Sequence, residues 1–123
     1  FETAPFDAFW KPPSPWPLRG ADLTFLANPN SPSGTFLRPA EAAAFADEVG
    51  GPLVLDEAYA DFAEGTGLSL VGKVRNVVVT RSLSKYYALA GVRFGFAVAD
   101  PATVRELVKV KDSYNCDVLS LAA

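Results

Sequence analysis

Three short apolar runs, each leading directly into a cluster of polar or turn-forming residues, constrain the fold of this chain more than any other feature. Val77-Val78-Val79 is the strongest of them. An unbroken β-branched run without polar alternation predicts a strand over Val77–Thr80 buried on both faces, as in a parallel sheet covered by helices. Leu23–Ala27 and Leu53–Leu55 read as two further strands and Phe94–Val98 as a fourth. Pro39–Val49 has a proline in its first turn and Gly50-Gly51 as a stop, which predicts a helix. Glu57–Gly67 reads as a loop. Pro101–Lys111 predicts an amphipathic helix with Val104, Leu107 and Val108 on one face, and Asp117–Ala123 begins another. Strands separated by helices or long crossovers indicate an α/β fold, a partial and mostly parallel sheet with flanking helices. Residues 1–20 carry Pro5, Pro12, Pro13, Pro15 and Pro17 with Trp10 and Trp16, a composition that predicts an irregular segment lying over a surface.

Composition narrows the class. The 123 residues are 50% hydrophobic and 20% charged, which fits one compact domain. A net charge of −3 offers no basic face to phosphate backbones, so a nucleic-acid partner is not expected. Cys116 is the only cysteine, so no internal disulfide can form, in keeping with a reducing, cytoplasmic setting. No apolar run approaches the roughly 20 residues that span a bilayer, and no signal peptide is visible, so no membrane partner is expected. The chain starts at Phe1 and contains no methionine, which predicts a fragment of a longer protein.

In α/β sheets the chemistry lies beyond the carboxyl ends of the strands. Here those ends carry the Asn28–Gly34 loop, Asp56 to Tyr59, and Ser82 to Lys85. Lys85 follows two hydroxyls, Ser82 and Ser84, and precedes Arg93 in the same stretch. An amine, two short donors and a guanidinium can hold an aldehyde covalently while gripping a phosphate. Most lysines are simply solvated, but the hydroxyls and arginine at this spacing argue against that fate. Arg93 stands between Val92 and Phe94 and needs a partner, and Gly91 and Gly95 let the backbone pass close by. Individually the other positions have plainer readings: Asp56 as a cap, Tyr59 as an aromatic over the sheet edge, the serines and the proline-rich loop as turns. No metal site is expected.

Taken together, Asn28-Pro29-Asn30-Ser31-Pro32-Ser33-Gly34, Asp56-Glu57-Ala58-Tyr59, and Ser82-Leu83-Ser84-Lys85 with Leu89-Ala90-Gly91-Val92-Arg93-Phe94-Gly95 resemble the fold type I pyridoxal-phosphate enzymes. The order and spacing are most similar to class I/II aminotransferases of the histidinol-phosphate branch, and Val110–Asn115 also looks like that branch. The resemblance implies pyridoxal 5'-phosphate as cofactor. It implies that Lys85 holds the cofactor and shuttles the proton, Asp56 pairs with the ring nitrogen, Tyr59 donates to the ring oxygen, and Ser82, Ser84 and Arg93 hold the phosphate. The family's asparagine before the second proline is Ser31 here. Its ring-oxygen contact falls to Asn30 by a small loop shift, or more weakly to Ser31; Asn30 is the preferred donor.

What the resemblance implies about activity is amino transfer from histidinol phosphate to 2-oxoglutarate, in histidine biosynthesis, by a homodimer acting on small molecules. A threonine-phosphate decarboxylase would share the cofactor constellation, and a non-catalytic α/β module would share only the fold. The resemblance also implies that this is the central part of a large domain. An earlier segment and the small C-terminal domain are then missing, and a sheet edge is left exposed. The chain alone is therefore expected not to transaminate: a spectrophotometric assay with histidinol phosphate and 2-oxoglutarate should show no robust turnover.

Overall fold

The computed structural model describes residues 1–113 and 116–122. In chain order these form β1 (Thr24–Ala27), α1 (Pro39–Val49), β2 (Leu53–Asp56), β3 (Val77–Ser82), β4 (Gly95–Ala99), α2 (Pro101–Val110) and α3 (Val118–Ala122). Short 3-10 turns occupy Ala60–Phe62, Gly67–Leu70 and Ala90–Val92. The sheet runs in the order β1-β2-β3-β4, with the first three strands parallel and β4 antiparallel to β3. Ala27, Asp56, Thr80 and Ala97 therefore lie in one row across all four strands, and Ser82 stands opposite Gly95.

Side-chain alternation divides the sheet into two unlike faces. On one, Leu26, Leu53, Leu55, Val77 and Val79 are buried together with Ala42, Phe45, Ala46 and Val49 of α1. The local sequence sets where α1 starts and stops. Pro39 occupies the first turn, the Arg38 N–H donates to Glu41 Oε2 at 2.8 Å, and Gly50 closes the helix at φ 73°. Asn76 then ties the end of the helix to the start of β3, its amide donating to the Ala46 and Gly51 carbonyls at 2.9 and 2.7 Å. Residues 1–23 contain no helix or strand. They are attached by Trp16, whose ring meets Phe45 edge-on at 5.1 Å and whose backbone N–H donates to the Glu48 carboxylate.

Several expectations from the sequence are corrected. β3 extends to Ser82, two residues past Thr80, because β4 returns antiparallel beside it. β4 begins at Gly95 and excludes Phe94. Val78 is only half-buried, so the second face is not sealed in the way the unbroken valine run implied. The stretch from Glu57 to Gly67 is no simple loop, since it contains the turn at Ala60–Phe62 and leads into another at Gly67. Val104, Leu107 and Val108 of α2 are exposed. Tyr114, Asn115 and Ala123 lie outside the described residues.

The loop after β1 is closed by a buried side chain. Asn28 Oδ1 accepts from the Leu37 N–H at 2.7 Å, and Asn28 Nδ2 donates to the Leu37 carbonyl at 2.9 Å. Asn28→Ala should lower stability by about 1–3 kcal/mol, because it strands both Leu37 backbone groups. Leu55→Ala, which opens a cavity at the centre of the core, should cost about 2–5 kcal/mol. Urea denaturation of the three proteins checks both values.

Candidate active site

Each of the three parallel strands delivers its chemistry at the carboxyl edge. Asp56 ends β2 with its carboxylate exposed on the face away from α1, and its Oδ1 accepts from the Ala58 N–H at 3.0 Å. Its neighbours in the row across the sheet are small: Ala27, Thr80 and Ala97. Tyr59 lies just beyond, half-buried, and the Lys85 ammonium sits 5.5 Å from the centre of its ring.

The stretch from Ser82 to Gly95 is a folded-back loop carried by the β3–β4 ladder. The Leu83 N–H donates to the Phe94 carbonyl at 3.2 Å, the Leu89 N–H to the Leu83 carbonyl at 3.1 Å, and the Ala88 N–H to the Lys85 carbonyl at 3.0 Å. The ladder ends with Ser82 opposite Gly95, so Ser84 and Arg93 lie in the loop just beyond its end. The Ser84 N–H donates to Ser82 Oγ at 3.1 Å. Gly95 permits this close approach, since a Cβ there would stand 2.9 Å from the Arg81 carbonyl oxygen. Ala88 and Arg93 are both left-handed at φ 56°, a conformation that side-chain-bearing residues seldom adopt and that gathers at functional sites.

The structure thus brings together Lys85 with Tyr59, and Ser82 with Ser84. It does not join the two pairs to each other by direct bonds. Among the described residues Lys85, Asp56 and Arg93 make no ion pair. The Arg93 guanidinium folds back onto the Ala90 carbonyl at 3.1 Å. Nearby, the Ser120 hydroxyl reaches the Val92 carbonyl and also Asp117, the residue that caps α3. Hydrogen bonds from the Ser120 side chain, then from its backbone, hold the Asp117 carboxyl below its ordinary pKa. Asn30 is half-buried and occupied within its own loop, donating to Ser33 Oγ at 2.7 Å. Asn30, Ser31, Arg38, Tyr59, Phe62 and Glu64 border a cleft of about 710 Å³.

One cluster was not anticipated. Glu57 points opposite to Asp56, into the core side, and is fully buried. Arg81 Nε donates to its Oε2 at 2.9 Å, Thr66 Oγ1 donates to the same oxygen at 2.6 Å, and the Gly67 N–H donates to Oε1. Arg81 also donates to Asp61 Oδ1 and Thr66 Oγ1, each at 3.0 Å. Gly67 is needed for the approach, because a Cβ there would meet Leu55 Cδ1 at 2.8 Å and Glu57 Oε1 at 3.1 Å. The signal was present in the sequence. Arg81 ends an apolar strand and demands a partner, by the same argument that drew attention to Arg93.

Comparison with known proteins sets this geometry among relatives. The chain is 50% identical to a histidinol-phosphate aminotransferase of Rhodopirellula baltica, covering 100% of this chain and 34% of that protein. It is 54% identical to the Geobacter sulfurreducens histidinol-phosphate aminotransferase, over 82% of this chain and 29% of that protein. The chain spans about a third of the length of the curated relatives it matches. Among solved structures, the Sinorhizobium meliloti histidinol-phosphate aminotransferase in complex with pyridoxal-5'-phosphate superposes with a TM-score of 0.73 at 31% identity, covering 82% of this chain and 29% of that one. The Porphyromonas gingivalis L-threonine-O-3-phosphate decarboxylase follows with a TM-score of 0.71 at 25% identity, covering 81% and 32%. The family model for aminotransferase class I and II matches residues 18–123, and the chain belongs to that family.

Proposed function

We propose that this chain is the cofactor-binding centre of a longer, pyridoxal-phosphate-dependent aminotransferase that takes its amino group from histidinol phosphate and passes it to 2-oxoglutarate. The observation that carries this reading is the Lys85 ammonium over the Tyr59 ring, 5.5 Å away, at the strand edge that also holds Asp56 and the serine–arginine loop. The residues fit the cofactor on chemical grounds. An amine, a carboxylate and a guanidinium lie along one edge without being consumed by ion pairs to one another, and small residues flank the carboxylate.

Bound pyridoxal phosphate supplies an aldehyde that takes up an amino group and a ring that accepts electrons. Lys85 Nζ is the attachment point for that aldehyde and the proton carrier of the site. Asp56 presents its carboxylate from the rigid end of β2, where it favours a protonated ring nitrogen. Tyr59 offers its phenol as a donor. Ser82 and Ser84 supply short hydroxyl donors, and Arg93 supplies a permanent charge once its guanidinium turns from the Ala90 carbonyl. Asn30, beside Tyr59 in the shared cleft, becomes a donor to the ring oxygen if it releases Ser33.

The substrate assignment is supported by relatives at 50% and 54% identity that bear the histidinol-phosphate name. The decarboxylase reading rests on a more distant likeness at 25%. In the full-length enzyme, Lys85→Ala should abolish covalent retention of pyridoxal phosphate after borohydride reduction, scored by peptide mass spectrometry, and reduce kcat by several orders of magnitude. Label retained on another residue would sink the assignment. Asp56→Asn should keep the cofactor attached while lowering kcat about 100-fold or more, on the scale of a lost electrostatic group at a reacting centre. Steady-state assays with histidinol phosphate and 2-oxoglutarate check this.

A further inference from the structure

Resting on the reading above, we infer that Arg81, with Glu57 and Asp61, is a positioning device. From the opposite face of the sheet it sets where Tyr59 stands relative to Lys85. Tyr59 lies in the short segment bounded by Glu57 and Asp61, and both ends of that segment grip one guanidinium: Arg81 Nε donates to Glu57 at 2.9 Å and Arg81 Nη1 to Asp61 at 3.0 Å. Arg81 itself lies in β3, just before the loop that carries Lys85. A single planar group therefore ties together the two backbone segments that present the phenol and the amine.

Packing on the other side closes the circuit. Asp61 lies inside the turn Ala60–Phe62, and the Phe62 ring stands 6.5 Å from Tyr59 and 5.1 Å, edge-on, from Tyr86, the residue after Lys85. Moving Asp61 moves Phe62, the ring that touches both Tyr59 and Tyr86. The cluster is rigid enough for this task. Glu57 is fully buried with three donors, the Arg81 side chain is 11% exposed, and Thr66 bridges the two charges. Guanidinium geometry matters here, because an ammonium cannot serve Glu57, Asp61 and Thr66 in one plane. None of these side chains faces the Asp56 side of the sheet, so the cluster acts through Tyr59. The charged groups bordering Tyr59 are Lys85 above its ring and Arg38 and Glu64 in its cleft.

The test uses the full-length enzyme loaded with pyridoxal phosphate. Borohydride trapping in the unmutated protein comes first. Failure to label Lys85 there removes the cofactor reading itself and identifies that as the fault. With labelling established, the readout is the pH midpoint of the bound cofactor's absorbance change, which a phenol donor lowers. Asp61→Asn keeps the buried Glu57–Arg81 pair, so it should fold and load normally yet raise the midpoint by about half a pH unit or more, the scale of one displaced hydrogen bond. Tyr59→Phe should raise it as well, and adding Asp61→Asn to Tyr59→Phe should add nothing. Arg81→Lys should shift it in the same direction; if that variant does not fold, Asp61→Asn decides alone. An Asp61→Asn holoenzyme with an unchanged or lowered midpoint, or an equal shift with and without Tyr59, overturns the inference and leaves the cluster a purely stabilising one.

Discussion

The buried carboxylate of Glu57 is the constraint around which the carboxyl edge of the sheet is organised. A charge with no solvent exposure must be paired and hydrogen-bonded or it is untenable. Glu57 meets that demand with a guanidinium, a hydroxyl and a backbone N–H drawn from three separate segments. Removing one partner from such a pair costs about 3–5 kcal/mol, because the other charge is left stranded. The Lys109–Glu106 pair on α2 makes a useful contrast. Its side chains are 65% and 70% exposed, and water and salt reduce its contribution to a fraction of that. Of the ion pairs described here, the Arg81 cluster is the one able to fix geometry.

Adjacency on a strand turns this clamp into a functional arrangement. Asp56 and Glu57 are consecutive, so the pleat sends one carboxylate to each face. The inward one is spent on structure and the outward one is left available, with small neighbours in its row. A shift of register by one residue would exchange the two, burying Asp56 and exposing Glu57. The Leu53–Val77 and Leu55–Val79 pairings, both buried in the core, make that slip prohibitively expensive.

Much of this was legible in the sequence, for identifiable reasons. The valine run, the capped segment Pro39–Val49 and the polar residues closing each strand are local signals, and they located the α/β sheet and the carboxyl edge at which its strands end. The errors were of another kind. The extension of β3 to Ser82 depends on β4 pairing antiparallel beside it, a non-local contact that no window around Val77 contains. The half-burial of Val78 depends on what lies over the second face. Asn28 looked like one turn residue among several, whereas the bonds that give it a structural task go to Leu37, across the loop. The Arg81 cluster joins residues from Glu57 to Arg81, and only its two charged ends in apolar surroundings hinted at it.

The contact between Lys85 and Tyr59 is too weak to account for its own geometry. A cation over an aromatic ring at an exposed position contributes about 0.5–1 kcal/mol, less than the roughly 1.5–2 kcal/mol of rotamer entropy lost by holding a lysine still. Its place must therefore come from the backbone. The turn closed by the Ala88 N–H to the Lys85 carbonyl, the ladder bond from Leu83 to Phe94, and the edge-on stack of Phe62, Tyr86 and Tyr87 hold the chain on both sides of the lysine. Two left-handed residues, Ala88 and Arg93, accept strain so that this loop can return to β4. Positioned by its main chain, the Lys85 nitrogen makes no hydrogen bond or ion pair among the described residues. A lysine placed by a salt bridge would lack that freedom.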